Sequence, residues 1–504
     1  MSGAPAVMPY RKLLPILAVY FAVTLTGILH HEIWLDEAQH FLIARDSSSL
    51  GQLFYNMKYD GHLQLWNYLL YFITHYVSNS VVAMQFFHLA IINMAVFIFL
   101  RYAPFSIVVK ILVLAGYYFL FEYAMISRNY ALGILFLFVA CSLNGKANRL
   151  PVLGIVCLLM CITHLFFLFA ATAIFVSVAY DSIKGKKMAG GTVMFAIFYA
   201  AGVLFAFMQM KQVPADNTYF HPNDIHLNEL KNPSYSIYGI ARGFLPFQNV
   251  HDPHPWGTFI FDKLNRFIKL AIAIALFCYP FFLLRNNKKA LLFFYLPTCL
   301  LVLFLSVTHM MANRYYGMFF IYLLAALWVM QSERNRSGVP EEPASKMLFR
   351  WFLYPLLIVQ VLAGIYIYAL DLARPFSLGK NVVQYLDDAQ WGGGPIVVDG
   401  YGGGPSVSAY LRRPVYYLDI GAQGSYCIWR KSYFPVPRRS VQDEIDNPDV
   451  PVQMDKFVLV STRKITETGL HDKRFVYELS ELKEMRNGIL LPDYYVYNVK
   501  RISK

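Results

Sequence analysis

The feature that most limits this chain is its series of apolar runs too long for a soluble core. Runs such as "LLPILAVYFAVTLTGIL" from Leu13 and "LLIVQVLAGIYIYAL" ending at Leu370 reach or approach the length that crosses a bilayer. Candidate spans lie at 12–30, 81–101, 104–123, 129–143, 149–162, 165–181, 190–212, 263–285, 289–308, 314–331 and 348–371. In lipid each segment must satisfy its own backbone hydrogen bonds, and continuous runs of this kind do so as helices. With 57% hydrophobic and 17% aromatic residues over 504 positions, an α-helical polytopic membrane protein is expected.

One apolar run stands apart. "LQLWNYLLYFITHYV" at 63–77 carries Gln64, Asn67, Thr74 and His75. At ~1.5 Å per residue it reaches about 22 Å, short of a hydrocarbon core of about 30 Å. If it lies on the outer surface as a juxtamembrane helix, the basic connectors share one side. These are Arg11-Lys12, Arg101 with Lys110, "NGKANR" 144–149, "KGKK" 184–187, "RNNKK" 285–289 and "SERNRSGVPEEPASK" 332–346. If it spans, every later connector changes side and the positive-inside rule is broken. The expectation is therefore about eleven spans, an amino terminus on the cytoplasmic side and a carboxyl terminus outside. The first apolar run has no small-residue cleavage site after it and reads as an uncleaved first helix. The net charge of +13 then sits in short clusters between spans, which argues against a nucleic-acid binder.

This topology gives a transmembrane domain over 1–375 with outer loops at 31–80 and 213–262, and a small extracytoplasmic domain over 376–504. In the latter, "PIVVDG", "PVYYLDI", "KFVLVS" and "YYVYNVKR" read as strands, and "GKNVVQYLDDAQ" and "SVSAYL" as helices, so an α/β layer is expected. "DGYGGGPS" at 399–406 matches no nucleotide-binding fingerprint and reads as a tight strand-to-helix turn. The six cysteines offer neither a disulfide framework nor metal-ligand spacing.

Ionisable residues gather on the outer face. Asp36 and Glu37 follow the first helix, Asp60 and His62 precede the surface run, Arg128 lies between the third and fourth spans, His164 between the fifth and sixth, and His309 with Arg314 between the ninth and tenth. Charges near membrane depth cost a few kcal/mol each and are usually paired or functional. Two arginines suit a phosphate through charge-assisted hydrogen bonds. A carboxylate can take a proton from an incoming hydroxyl or hold a divalent cation, with Asp36 and Glu37 the candidate cation ligands. A secondary transporter would show internal repeats and helices broken at the midplane, and neither is visible.

In order along the chain, "WLDEAQHFLIARD", "YDGHLQLWNYLLY", "SRNYALGILFLF", "CITHLFFLF" and "NRYYGMFFIYLLA" resemble motifs of the GT-C glycosyltransferases. The nearest likeness is to the bacterial branch related to protein O-mannosyltransferases and lipid A aminoarabinose transferases. It covers roughly 12–331, with Leu63-Gln64 standing where the family has Pro-Pro. The resemblance implies an enzyme that moves a sugar, with inversion, from a polyprenyl-phosphate donor to a glycan, lipid or protein acceptor. Asp36 would be the base and Glu37 its support, with Arg128 and Arg314 on the lipid phosphate. Asp60, His62, Tyr130, His164, His309 and Tyr315 would line the substrate pocket. An oligosaccharyltransferase or ligase with a pyrophosphate-linked donor is the alternative; no second Asp-x-Asp in the outer loops supports it.

Overall fold

The computed structural model describes residues 7–185, 190–218, 234–308, 312–338, 343–434, 438–445, 454–466, 469–471 and 476–502. The chain begins with α1 (Tyr10–His30), followed by three short helices, α2 (Leu35–Arg45), α3 (Leu50–Asn56) and α4 (Leu65–Tyr76). Next come α5 (Val81–Tyr102), α6 (Ile107–Ala115), α7 (Asn129–Leu143), α8 (Leu150–Thr163), α9 (Leu165–Lys184) and α10 (Gly190–Lys211). After α11 (Ser234–Phe244), the helical part ends with α12 (Arg266–Leu284), α13 (Lys288–Thr308), α14 (Asn313–Ser337) and α15 (Pro343–Ala373).

Among the described residues eight helices are long and apolar enough to cross a membrane: α1, α5, α9, α10, α12, α13, α14 and α15. The spans expected at 129–143 and 149–162 form α7 and α8, of 15 and 14 residues. The expected span at 104–123 is not one continuous helix. α6 stops at Ala115, and a π-type turn covers Tyr118–Glu122. Gly364 of α15 packs against this break, where a Cβ would come within 2.9 Å of Ala115 O and of Tyr117 N. Such irregular backbone is tolerated at membrane depth because protein, not lipid, surrounds it. Tyr117 to Ile126 are all buried.

α4 has 12 residues, about 18 Å of helix at 1.5 Å per residue, too short to span. It buries Trp66, Asn67, Leu70, Tyr71 and Thr74 and leaves Phe72 and Tyr76 exposed, as a helix lying at a membrane interface would. α4 is fastened to α2 by His40 Nδ1 and Asn67 Oδ1 at 2.9 Å, with Asn67 Nδ2 donating to His40 O at 3.3 Å. A reporter fused after residue 46 and one fused after residue 80 are expected on the same extracytoplasmic side; opposite sides would carry α4 through the membrane.

Three of the basic connectors, 144–149, 285–289 and 332–346, meet one another. Arg336 donates to Asn144 O at 2.7 Å, and Lys289 pairs with Asp181 at 2.6 Å and Glu333 at 3.1 Å. α7 and α14 both run from Arg128 and Arg314 at their amino-terminal ends to this basic end. α14 is the central post, buried from Tyr315 to Met330.

The carboxyl-terminal part holds α16 (Gly379–Asp388), α17 (Gly404–Leu411) and α18 (Val441–Ile445). Its sheet contains β1 (Ile396–Asp399), β2 (Val415–Tyr417), β3 (Ala422–Gly424), β4 (Lys456–Ser461), β5 (Gly469–His471), β6 (Val476–Met485) and β7 (Tyr494–Ile502). The order is β3-β2-β1-β4-β7-β6-β5, with β2, β1 and β4 parallel and the other pairings antiparallel. The strands and helices expected here from the hydrophobic pattern are present, and "DGYGGGPS" is the turn between β1 and α17. It turns at Gly400, whose φ of 106° favours glycine, and α17 then packs on α2. Gln39 of α2 completes the seam as a strand would, donating to Cys427 O at 2.7 Å and accepting from Cys427 N–H at 2.8 Å.

Candidate active site

Four helix amino termini meet in one cavity of about 410 Å³. α2 contributes Asp36 from its first turn, α7 is capped by Arg128, α9 by His164, and α14 carries Arg314 and Tyr315 in its first turn. Each end presents unpaired backbone N–H groups and a partial positive charge, so the setting favours an anion. The chain reverses between α8 and α9 at the single residue His164. That residue is extended at φ −163°, and its Nδ1 accepts from Phe166 N–H at 3.2 Å.

Asp36 is the bridge of the site. Its Oδ2 lies 2.8 Å from Arg128 Nη1 and 2.7 Å from Arg314 Nη2. Burial alone would raise this carboxyl, but the Arg314 and Arg128 guanidiniums, with His62 and His40 adding, hold it below the usual carboxylate value. Asp36 is therefore ionised, with Oδ2 facing both guanidiniums. The two arginines are not saturated: Nε of Arg128 and Nε of Arg314 are buried without a hydrogen-bond partner. A buried unpaired donor costs about 1–3 kcal/mol, which an incoming anionic oxygen would relieve.

The polar chain continues to the far wall. Arg128 Nη2 lies 3.3 Å from His62 Nε2, and His62 Nδ1 lies 2.9 Å from Asp60 Oδ2. An arginine can only donate, so the His62 proton sits on Nδ1 and points at Asp60. Burial alone would raise Asp60, yet His40, His62 and Arg128 hold it below the usual range. Burial is the largest influence on His40 and moves it below the ordinary imidazole value, to about 3. Tyr315 lines the cavity, while Tyr130 reaches it through His164, with its hydroxyl 3.3 Å from Nε2. His309 lies outside the described residues.

Glu37 departs from its expected place. Successive helix residues point about 100° apart, and the Glu37 carboxylate turns away from the cavity. It accepts from the backbone N–H of Ser127 at 2.6 Å and of Trp34 at 3.3 Å, which caps α2. Asp36 and Glu37 thus do not converge on a shared cation. The side chains whose ligand atoms do converge, all within 4.8 Å, are His40, Asp60 and His62. Two imidazoles and a carboxylate at that spacing could hold a divalent cation.

The sequence reading did not single out Gln39, His40, Asn217, Thr218, Phe304 or Trp429, all in the cavity wall. His40 was readable, one turn after Asp36 on the same helix face. Asn217 and Trp429 were not, because they meet only in three dimensions. Thr218 N–H donates to Trp429 O and Lys431 N–H to Asp216 O, both at 2.7 Å, around a bridge between Asn217 and Arg430. Opposite them, Phe166, Phe304 and Met210 make an apolar wall from α9, α13 and α10.

No protein-family model and no curated protein matches the sequence. Among solved structures the chain is similar to that of ArnT from Cupriavidus metallidurans, determined bound to undecaprenyl phosphate. The TM-score is 0.51 at 10% identity, covering 97% of this chain and 98% of that one. The likeness runs from the first helix to the carboxyl-terminal sheet, so this chain shares the overall fold of that ArnT structure.

Proposed function

We propose that this protein is an integral-membrane glycosyltransferase that takes a sugar from a polyprenyl-phosphate donor and transfers it to an acceptor on the extracytoplasmic side. The observation that carries the reading is Asp36 held between Arg128 and Arg314 at four converging helix amino termini. Likeness of fold to a protein solved with undecaprenyl phosphate supports the donor class.

The donor phosphate takes the guanidiniums of Arg128 and Arg314, including their unpaired Nε–H groups, by charge-assisted hydrogen bonds. Its isoprenoid tail leaves along the apolar wall of Phe166, Phe304 and Met210. The Asp36 carboxylate accepts the proton of the acceptor hydroxyl or amine as that atom bonds to the anomeric carbon. The bond from the anomeric carbon to the phosphate oxygen breaks, and polyprenyl phosphate departs with the electron pair, its charge met by the two arginines. One displacement with one base inverts the anomeric configuration. Asp60, His62, His40 and His164 bound the sugar. A cation held by His40, Asp60 and His62 would supply further positive charge beside the phosphate.

The test supplies purified, reconstituted protein with a panel of undecaprenyl-phosphate-linked hexoses and pentoses and measures released undecaprenyl phosphate. At least one donor is expected to turn over, giving undecaprenyl phosphate and an inverted linkage. Turnover of undecaprenyl-pyrophosphate glycans alone would replace this reading with a ligase.

A further inference from the structure

A second polar chain lies behind the cavity and takes no part in the chemistry above. His31 is the first residue after α1. Its Nδ1 lies 2.9 Å from Asp371 Oδ2 in α15, and its Nε2 lies 3.3 Å from Glu37 Oε2. The side chains of His31 and Glu37 are fully buried, and that of Asp371 is 2% exposed. Phe376 packs against the imidazole in a tilted arrangement, 4.6 Å between ring centroids and 43° between planes. Three ionisable groups placed this deep are costly, and apolar residues of similar volume would commonly stabilise the fold as well or better.

What the chain joins explains its presence. Glu37 takes the N–H groups of Trp34 and Ser127. Trp34 caps α2 two residues before Asp36, and Ser127 immediately precedes Arg128. One carboxylate therefore ties together the two backbone segments whose side chains form the Asp36–Arg128 pair. His31 fixes that carboxylate, and Asp371 anchors His31 to a long helix. We propose that Asp371, His31 and Glu37 form a positioning relay that sets the Asp36 carboxylate against Arg128 for proton transfer.

The relay rests on the reading of Asp36 as base. A displacement of about 1 Å at a reacting pair can cost on the order of 100-fold in rate. The phosphate, held by two flexible guanidiniums, is less demanding. The signature is thus a fall in kcat with little change in lipid affinity.

The side-chain geometry supplies graded variants. His31→Asn keeps a donor near the Nδ1 position for Asp371 but does not reach Glu37; His31→Gln restores that reach. Full-length variants are compared for turnover of the undecaprenyl-phosphate sugar that wild type consumes, and for binding of undecaprenyl phosphate. His31→Asn and Glu37→Gln are each expected to lower kcat about 10- to 100-fold. The dissociation constant for undecaprenyl phosphate should stay within about threefold, and His31→Gln should recover most of the rate. The His31→Asn/Glu37→Gln double variant should be no slower than the slower single one, as groups acting in one chain are non-additive.

Wild-type kcat in both single variants, additive losses, or equal loss in His31→Asn and His31→Gln would overturn the relay. So would a deficit confined to folded yield, with normal turnover per folded molecule. Asp36→Asn, run alongside, separates the two levels. If it retains turnover, the base assignment fails. If it is inactive while the relay variants work normally, only the relay fails.

Discussion

Asp36→Asn is expected to lower kcat by about 100- to 10,000-fold, the range over which a positioned acid or base contributes, while undecaprenyl phosphate binds as tightly as before or more so. The two halves of this expectation have one cause. Asp36 is both the group that accepts the proton and the only carboxylate whose oxygen lies within ion-pair distance of both Arg128 and Arg314 among the described residues. Asparagine cannot take the proton, so turnover falls by about 3–5 kcal/mol of barrier. It also removes the anion that competes with the donor phosphate for two guanidiniums, so lipid affinity has no reason to fall. The substitution leaves two buried cations facing one another, and breaking a buried pair can cost about 3–5 kcal/mol. The variant should therefore unfold at a lower temperature when lipid-free and regain stability with undecaprenyl phosphate, which supplies the missing negative charge. Turnover near the wild-type rate in monodisperse protein would remove Asp36 from the chemistry. Loss of lipid binding would make Asp36 a structural counter-ion instead.

How far the sequence could be read depended on the range of the interaction involved. Span after span was legible because hydrophobicity is a local property and the bilayer sets the length. The run at 63–77 was legible as a helix too short to span because its length and its polar residues set it apart. The break after Ala115 was not, since Gly364 of α15 lies hundreds of residues away and allows the close approach there. Asp36, Asp60, His62, Arg128, His164 and Arg314 could be grouped because ionisable residues are conspicuous at the ends of apolar runs. Their pairing could not be foreseen. The pattern set both arginines aside for a phosphate, whereas in the structure Asp36 bridges them. Glu37 shows the limit most clearly. In sequence it is the neighbour of Asp36; in the fold its partners are His31, Trp34 and Ser127. Trp429, from the carboxyl-terminal part, enters the cavity wall through the bridge at Asn217 and Arg430, which no local pattern announces.

The arginines should give the converse of the Asp36 result. Arg128→Ala and Arg314→Ala each remove a charge-assisted contact worth about 1.5–3 kcal/mol, so the dissociation constant for undecaprenyl phosphate should rise about 10- to 100-fold in each. Lysine keeps the charge but not the planar fork, and Arg314→Lys should recover only part of the loss. The double variant carries a further, sign-determined consequence. In the wild type the guanidiniums overcome the effect of burial and keep Asp36 ionised below the usual carboxylate range. Paired in this way, it adds stability that is present above the unfolded-chain pKa and is lost as pH falls through the lower folded one. Without both arginines, burial is the largest remaining influence and raises the carboxyl above its ordinary value. The sign of the linkage then reverses. Residual turnover should fall as pH drops toward the raised value, because the base becomes protonated, while the folded state gains stability over the same interval, because the buried acid becomes neutral. Wild-type protein should show neither trend from Asp36 in that window. Paired pH profiles of turnover and of thermal unfolding for the wild type and the double variant would test this directly. Two parallel profiles would mean that Arg128 and Arg314 do not set the charge of Asp36, and the electrostatic core of the proposed mechanism would have to be abandoned.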